Sequence, residues 1–353
     1  MDESSNKKYL QLADKLRIRQ DDEFIEPQVA LKQKNLKSDG YTTIGTLGNF
    51  SLVIGKAKSR KSFYINAIVA AALSNNLPLG RYEGQLPKEQ SVVGYFDTEQ
   101  GKYHVKQAQK RIGRLTKNKK LENLNLYHLR ALKPSDRLKV IEAVIYANAN
   151  MGFVIIDGVR DLVTSINDEV KATEISSKLL KWSEERNIHI IVVLHQNKGN
   201  AFARGHLGTE LINKAELVLS VTKQNDNEEI SIVKPEYSRD IQPETFAFTI
   251  IDGLPSAVES FVENTSSTSR RQKLSHLKNE DKNKLLKEVF SDENGFKYSE
   301  LVKQTKLSYS KLYKEHVGDN QVKDFIKECR AEGWINQKTL KGKYTLTSSL
   351  EPP

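Results

Sequence analysis

One segment constrains the fold more than any other. Residues 50–73, FSLVIGKAKSRKSFYINAIVAAAL, place an apolar run, a short basic loop and a longer apolar run in direct succession. The first run, Phe50–Ile54, has the length and composition of a buried strand, and the second has the length of a helix. A strand joined to a helix by so short a loop is typical of a parallel sheet covered by helices.

The same alternation continues along the chain. Further short apolar runs predict strands at Val92–Phe96, Asn123–Tyr127, Phe153–Ile156, Ile188–Leu194, Leu217–Thr222, Ile230–Val233 and Phe246–Ile251. Helix-length stretches lie between them at 61–75, 101–116, 134–149 and 168–186. Parallel strands with helices on both faces follow from this pattern, and the closely spaced last strands predict an antiparallel end. The predicted fold class is therefore α/β with a mostly parallel sheet.

Composition shifts predict four regions. Residues 1–40 are polar and poorly periodic and read as an N-terminal arm, residues 41–262 form the α/β domain, and the Ser/Thr-rich, basic stretch 263–278 is a linker. In residues 279–353, helices are predicted at about 280–291, 299–306 and 320–332, with Ser308 capping a further helical segment. A short strand at 296–298 and two strands at 334–338 and 343–347 complete the layout of a winged helix-turn-helix.

Several kinds of chemistry are excluded. The single cysteine, Cys329, rules out an internal disulfide framework and a thiolate zinc site, and the seven histidines form no pair at ligand spacing. No apolar run approaches the ~18 residues of a membrane span, and the N-terminus has no hydrophobic signal core. We expect a cytoplasmic protein without membrane association, whose metal chemistry uses carboxylates, hydroxyls and phosphates.

The loop after the first predicted strand has the spacing of a phosphate site. Gly55, Lys61 and Ser62 occupy the first, seventh and eighth positions of the pattern G-x-x-x-x-G-K-[ST]. Backbone N–H groups of such a loop surround phosphates, the lysine reaches the β and γ groups, and the hydroxyl binds Mg²⁺. ATP and Mg²⁺ are the expected ligands. The predicted binding residues are Gly55, Lys56, Ala57, Lys58, Ser59, Arg60, Lys61 and Ser62.

One position departs from the pattern. Arg60 replaces the second glycine, where a side chain can crowd the loop or require an unfavourable φ. A degenerate loop without nucleotide, or a chance match in a Lys/Ser-rich stretch, is the alternative. The flanking strand and the acids downstream favour nucleotide binding over a chance match. Because of Arg60, the sequence predicts ATP binding more strongly than ATP hydrolysis.

Two later strands end in acids. The run Phe153–Ile156 leads into Asp157, the Walker B arrangement that holds Mg²⁺ directly or through water. The run Val92–Phe96 leads into Asp97-Thr98-Glu99, where Glu99 is placed to polarise the attacking water as general base. A single acid at such a place is more often a helix cap, but three phosphate-site elements on successive strand ends favour function.

These residues resemble the RecA-like ATPases, and more closely the hexameric replicative helicases of the RepA and DnaB type found on plasmids and mobile elements. The similarity covers roughly residues 40–252. It implies Glu99 as the catalytic glutamate and Asp157 as the Walker B acid. His195 and Gln196, after the next strand, match the family's polar sensor of the γ-phosphate. Taken alone, His195 is better explained as a core histidine at a strand end, and the neighbouring motif residues favour the sensor instead.

The resemblance also implies contacts with DNA and between subunits. The loop 197–206 corresponds to one that faces the central channel, where Lys198 and Arg204 would neutralise phosphates of single-stranded DNA. An ordinary surface loop is the alternative. Lys234 and Arg239 stand where the family has trans-acting fingers, which implies a homo-oligomer such as a hexamer. The default interpretation of each is a surface cation. A primase or another replication partner is also implied.

The charge is concentrated near the end of the chain. Residues 270–353 hold 18 Lys and Arg against 12 Asp and Glu, so +6 of the net charge of +10 lies there. Duplex DNA at the small domain is the favoured partner, with a protein-interaction module as the alternative. The expected function is an ATP-hydrolysing DNA motor in plasmid or mobile-element replication. The competing interpretation is an ATP-switched DNA-binding regulator, or a partitioning or recombination factor. The predicted DNA contacts in the small domain are Lys311, Lys314, Lys323, Lys327, Lys341 and Lys343.

Overall fold

The computed structural model divides the chain into two units, Met1–Glu263 and Asn264–Pro353. It describes residues 3–36, 38–74, 76–118, 120–196, 205–224, 227–259, 261, 274, 277, 279–313, 316–337, 339 and 342–347. The predicted linker at 263–278 lies almost wholly outside these residues, as do Lys198, Arg204, Lys314 and Lys341. The domain limits therefore stay predictions.

The first unit alternates strands and helices. Its strands are β1 (Val29–Lys34), β2 (Tyr41–Thr46), β3 (Phe50–Gly55), β4 (Tyr82–Gly84), β5 (Val92–Asp97), β6 (Leu124–His128), β7 (Met151–Asp157), β8 (His189–His195), β9 (Leu217–Lys223), β10 (Ser231–Ser238), β11 (Phe246–Ile251) and β12 (Leu254–Ala257). Its helices are α1 (Glu3–Leu16), α2 (Lys61–Leu73), α3 (Lys102–Leu115), α4 (Pro134–Ala147), α5 (Glu169–Arg186) and α6 (Gly205–Lys214). Short 3₁₀ turns lie at Pro78–Gly80, Lys88–Gln90 and Val159–Leu162.

Within the described residues, nine strands form one sheet in the order β12-β11-β10-β9-β3-β8-β7-β5-β6. The strands from β9 to β6 in this order run parallel, whereas β10, β11 and β12 are antiparallel. The predicted α/β fold with a mostly parallel sheet and an antiparallel end is confirmed. Because parallel strands end at the same edge, β3, β5, β7 and β8 bring their last residues together.

Helices cover both faces of this sheet because its strands are apolar on both sides. Val53 and Val193 pack toward α2 and α3, while Leu52 and Val192 pack toward α4, α5 and α6. Helix α2 is apolar almost all round, and burial of its side chains against β3 and the small sheet fixes the start of the helix beside the loop.

A second, three-stranded sheet in the order β2-β1-β4 packs beside α2. This corrects the prediction of an arm through residue 40, since residues 29–34 form strand β1. The strand contains polar residues, so its sequence does not have the apolar pattern of a buried strand. One of them, Gln33, is nevertheless buried and donates from Nε2 to the carbonyl of Glu244 at 2.9 Å. Ahead of it, helix α1 is exposed, with Leu10 and Leu16 open to solvent.

The second unit contains α7 (Asn279–Val289), α8 (Tyr298–Tyr313), α9 (Asp319–Ala331), β13 (Ile335–Gln337) and β14 (Tyr344–Leu346). Its core includes Leu285, Phe325 and Trp334. The predicted break near Ser308 is wrong, because α8 runs through this residue and buries it. The predicted strand 296–298 reduces to one bridge between Phe296 and Tyr344.

Among the described residues, no helix is both long and apolar enough to cross a bilayer.

Candidate functional site

The loop between β3 and α2 is built on close packing at its first residue. Gly55 ends β3, and a Cβ there would lie 2.3 Å from the carbonyl oxygen of Val221 on β9, so the strand pair requires glycine. The apolar helix α2 then begins at Lys61 and presents its N-terminus to the space above the loop. The eight residues predicted for phosphate binding span the last residue of β3, this loop and the first two residues of α2.

Two residues of the loop have left-handed backbone. Lys58 has φ 62°, and Arg60 has φ 71° and ψ 24°. The glycine that the pattern expects at position 60 adopts this conformation freely, whereas a residue with a Cβ is strained by about 1–2 kcal/mol. The Arg60 guanidinium donates to the carbonyl of Glu229, between β9 and β10. This bond offsets part of the strain and directs the side chain toward the hairpin.

Lys61 is buried at the centre of the site. Its Nζ lies 2.9 Å from the carbonyl oxygens of both Gly55 and Lys56, and 3.1 Å from Nδ1 of His195. Burial lowers the pKa of Lys61 to about 8, against the opposing pull of Asp157 and Glu99. The ammonium group therefore stands over the loop, held by carbonyl groups that an incoming phosphate would replace.

His195 connects that lysine to Glu99. It ends β8 beside Gly55 of β3, and its Nε2 lies 3.1 Å from Oε2 of Glu99. A neutral imidazole with its proton on Nε2 satisfies both contacts, because Nδ1 then accepts from the lysine. The hydrogen bond from His195 holds the pKa of Glu99 below its ordinary value, so this carboxylate is ionised. The next residue, Gln196, is buried, and its backbone N–H donates to the Gly55 carbonyl.

Asp157 ends β7 at the other side of the loop. Its Oδ2 accepts from the hydroxyl of Tyr95 at 2.8 Å and from that of Ser62 at 3.3 Å. Burial raises the pKa of Asp157. The predicted metal pair of Ser62 and Asp157 is thus brought together, with Tyr95 as a supporting donor that the sequence did not single out.

A second buried acid was also missed. Asp97 ends β5 directly opposite Asp157, and its Oδ1 accepts from the backbone N–H groups of Glu99 and Gln100 at 3.0 and 2.7 Å. These two hydrogen bonds fix the turn that positions the side chain of Glu99. The other oxygen, Oδ2, is buried without a partner among the described residues, and burial raises the Asp97 pKa to about 6. Its position at the end of an apolar strand was the available signal.

The turn after β7 fits closely against the turn after β5. Gly158 has φ 104°, and a Cβ on it would lie 2.2 Å from Oγ1 of Thr98 and 2.9 Å from Cγ of Glu99. The backbone N–H of Thr98 donates to the Asp157 carbonyl at 3.1 Å. Glycine at position 158 is therefore required for Glu99 to stand where it does.

Helix α3 supplies one wall of the pocket above the loop, whose volume is about 450 Å³. His104, Gln107, Ala108 and Arg111 line this wall. Arg111 donates to Oδ1 of Asn66 at 2.6 Å, and its guanidinium lies 3.8 Å from the ring centroid of Phe63. Sequence reasoning missed this wall because only packing reveals which helix face borders the pocket.

The two predicted fingers lie on and after β10, but at different levels of the sheet: Lys234 is level with the end of β3, next to the phosphate loop, whereas Arg239 is at the far end. Lys234 is exposed and pairs in register with Ser220 of β9. Arg239 follows the far end of β10, where its Nη2 donates to the carbonyl of Lys214 at 2.8 Å. That end faces the first residues of β9, so Arg239 lies at the sheet edge opposite the phosphate loop, roughly 20 Å from it along the strands.

The DNA contacts predicted for the small unit differ in their surroundings. Lys311 lies 2.6 Å from Oε1 of Glu288, which neutralises its charge and raises its pKa. Lys323, Lys327 and Lys343 are exposed. The remaining predicted residues, Lys198, Arg204, Lys314 and Lys341, lie outside the described part of the chain.

The donor set fits a nucleotide-bound Mg²⁺ better than a metal held by protein alone. Among the described residues, no three His, Cys, Asp or Glu side chains are grouped for metal binding. Ser62 and Asp157 supply two adjacent oxygens, and the unpartnered Oδ2 of Asp97 is a third acceptor nearby. Mg²⁺ in such sites takes one or two carboxylates and completes its shell with phosphates and water.

Comparisons with known proteins gave a family model and similar solved structures. No curated protein matches the chain. Among solved structures, the crystal structure of the RadB recombinase is 16% identical, with 60% of this chain and 92% of that chain covered and a TM-score of 0.42. A family model described as AAA domain matches residues 41–201, somewhat less than half of the chain. This range contains the loop at Lys61, Glu99, Asp157 and His195, and the match supports a P-loop ATPase core.

Proposed function

We propose that the chain is an ATP-hydrolysing, oligomeric, DNA-binding motor, similar to RepA-like helicases or replication initiators, that acts in plasmid or mobile-element DNA replication. The observation that carries this is the convergence of Lys61, Glu99, Asp157 and His195, from four neighbouring strand ends, on one pocket. A phosphate-binding loop with a lysine binds a nucleotide, and an ionised carboxylate beside that lysine supplies the general base that hydrolysis requires.

Each side chain has a distinct part in this proposal. Lys61 exchanges its two backbone carbonyl partners for the β and γ phosphates of ATP. Glu99 accepts the proton of the attacking water on a carboxylate oxygen, and His195 orients that carboxylate through Nε2. Ser62 and Asp157 would hold Mg²⁺, which supplies positive charge to the phosphates when it is bound. Loss of the γ-phosphate would reach the segment after Gln196 through the same histidine.

An oligomer is part of the proposal because of Arg239. On its own chain this residue lies at the sheet edge opposite the phosphate loop, so it can act on a nucleotide only from a neighbouring subunit. Mixing Arg239→Ala subunits with Glu99→Gln subunits tests this. Each variant supplies what the other lacks at a shared interface, so partial ATPase activity is expected. No rescue at any ratio, with mixed assembly verified by mass, would remove Arg239 from the site.

Contacts with DNA are proposed at two places. The loop at Lys198 and Arg204 would bind single-stranded DNA in a channel. In the second unit, three helices followed by a two-stranded ribbon agree with a winged helix, and exposed Lys323 and Lys327 on α9 would bind duplex phosphates. Deletion of residues 265–353 should weaken duplex binding and reduce its salt dependence. An unchanged salt slope would contradict this assignment.

The central experiment measures ATP hydrolysis with and without single-stranded DNA. Lys61→Ala and Glu99→Gln should lose activity under both conditions, whereas wild type should be stimulated by DNA. Lys139→Ala, an exposed lysine on α4, is the matched control for a lost charge and should behave as wild type. Wild-type hydrolysis no faster than that of Lys61→Ala under both conditions would rule out the motor.

A second candidate is an ATP-switched DNA-binding regulator, or a partitioning or recombination factor, without unwinding activity. Two observations favour it: the strained backbone of Arg60 in the loop, and the hydrogen bond with His195 that occupies a carboxylate oxygen of Glu99. Strand displacement on a forked duplex separates the candidates. Efficient displacement would eliminate the switch, and ATP-dependent duplex binding without displacement would favour it.

A further inference from the structure

Helix α3 carries an unusual row of cations on its exposed surface. Within its range the helix contains no aspartate or glutamate. The cations recur every three or four residues, the last of them two residues past the helix end, and all are exposed. We call them the basic row: Lys102, Lys106, Lys110, Arg114 and Lys117.

The hydrogen bonds that this row makes go to neutral acceptors. Lys106 donates to the side-chain amide of Gln109 at 2.7 Å, and Arg114 donates to the backbone carbonyl of Asp252 at 2.8 Å. Among the described residues, none of the five cations has a side-chain carboxylate oxygen within 4.0 Å, whereas Lys171 on α5 and Lys214 on α6 pair with glutamates of their own helices. Like charges four residues apart destabilise a helix, and no carboxylate of the described residues offsets this cost in the row.

The row borders a groove of about 620 Å³ on the outer side of α3. Lys106, Lys110, Arg114 and Lys117 rim it, and the amides of Gln109 and Asn118 lie between them. Gly113 opens its floor, because a Cβ there would stand 3.3 Å from the carbonyl of Asn118. The groove thus offers cations and amide donors in a line, with no acid among its lining residues.

An exposed aromatic residue shares this face. At 100° per residue, Tyr103 lies at the same angle around the helix as Lys110 and Arg114. Its side chain is 70% exposed. The cations recur at intervals of about 6 Å along the axis. A line of cations with an aromatic side chain for stacking suits a polymer that carries one negative charge per nucleotide and flat bases.

We propose that the basic row and Tyr103 form a binding surface for single-stranded DNA on the ATPase unit, separate from the loop at 197–206. The proposal rests on the proposed function for the identity of the polyanion, and it adds a site to it. The opposite flank of the same helix carries His104 and Arg111 of the nucleotide pocket. DNA laid along α3 would therefore contact the element that forms one wall of the ATP site.

The test measures binding of a labelled oligothymidylate to the full chain across a range of salt concentrations. Lys106→Gln/Lys110→Gln should weaken binding about tenfold at low salt and reduce the slope of log K against log salt by about 1.4, which is 0.7 for each lost contact. Lys88→Gln/Lys139→Gln removes two exposed lysines elsewhere and should match wild type. Tyr103→Ala should weaken binding without changing the slope, and Tyr103→Phe should bind as wild type.

Misfolding is separable from loss of the site. Removal of two repelling charges should leave the unfolding midpoint of Lys106→Gln/Lys110→Gln unchanged or higher, and Lys106→Arg/Lys110→Arg should retain binding. Wild-type affinity and slope in the glutamine variant would overturn the proposal while leaving the ATPase motor standing. Binding to phosphatidylserine vesicles that requires the row, with DNA binding unaffected, would overturn it in favour of a membrane surface. Row-dependent DNA binding in a chain without ATPase activity would support the surface and refute the motor.

Discussion

The left-handed backbone of Arg60 allows a quantitative test of the phosphate loop. Arg60→Ala removes the bond to the Glu229 carbonyl and keeps the strain, so it should destabilise the first unit by about 1 kcal/mol. Arg60→Gly loses the same bond but relieves about 1–2 kcal/mol of strain, against about 0.5–1 kcal/mol of extra chain entropy in the unfolded state. The glycine variant should therefore be more stable than the alanine variant by about 0.5–1 kcal/mol.

Urea unfolding of the two variants measures this difference directly, with the signal followed in the first unit and the slopes compared. Because both variants lack the guanidinium, the lost hydrogen bond cancels and only the backbone contribution remains. Lys58, at φ 62°, is a second position where glycine should exceed alanine. If alanine equals or exceeds glycine at position 60 with equal slopes, the left-handed conformation carries no strain and the reasoning fails.

Three further changes test the buried chemistry of the sheet. Burial lowers the pKa of His189 from 6.5 to about 4. The free energy of unfolding is therefore full above pH 7 and falls by about 3 kcal/mol in total as the pH drops from 6.5 toward 4. In His189→Gln this loss should be absent from the pH profile of unfolding. Gly158→Ala should cost at least about 2 kcal/mol and reduce ATP hydrolysis, because its Cβ would displace Thr98 and Glu99; a wild-type unfolding midpoint would contradict the predicted clash. Tyr95→Phe removes a donor from buried Asp157 and should lower the free energy of unfolding by about 1.5–3 kcal/mol at neutral pH, and an unchanged value would show that the bond contributes nothing.

The sequence predicted the large sheet well because its signals are local. Buried parallel strands are short apolar runs, helices between them are amphipathic or apolar, and the shared edge of parallel strands brings Glu99, Asp157 and His195 together. Strand β1 was missed because Gln33 is buried by a partner 211 positions away, which no local pattern reveals. The false break at Ser308 came from a capping residue whose helix is instead held by tertiary packing.

The parts of the site that escaped prediction depend on approach between distant segments. Asp97 becomes recognisable only when β5 is paired with β7, which places it opposite Asp157. Gly158 could have been any turn residue until its distance to Thr98 was known. The face of α3 that borders the pocket, and with it the position of Arg111, depends on how α3 packs against α2. A single sequence shows residue types at strand ends, but the closeness of two turns is a property of the packed sheet.

Arg60 also shows why a departure from a motif need not be a loss. A glycine at this position could relieve the strain, but it could not reach the Glu229 carbonyl, which accepts from the Thr249 hydroxyl on β11 at 2.9 Å as well. The arginine therefore ties the phosphate loop to the hairpin that leads into β10, the strand that carries Lys234. Any displacement of the loop on nucleotide binding must break this bond or move the hairpin with it. The strained residue thus provides a direct physical connection between the nucleotide loop and β10, which at its far end leads into Arg239, the residue that we propose reaches the neighbouring subunit.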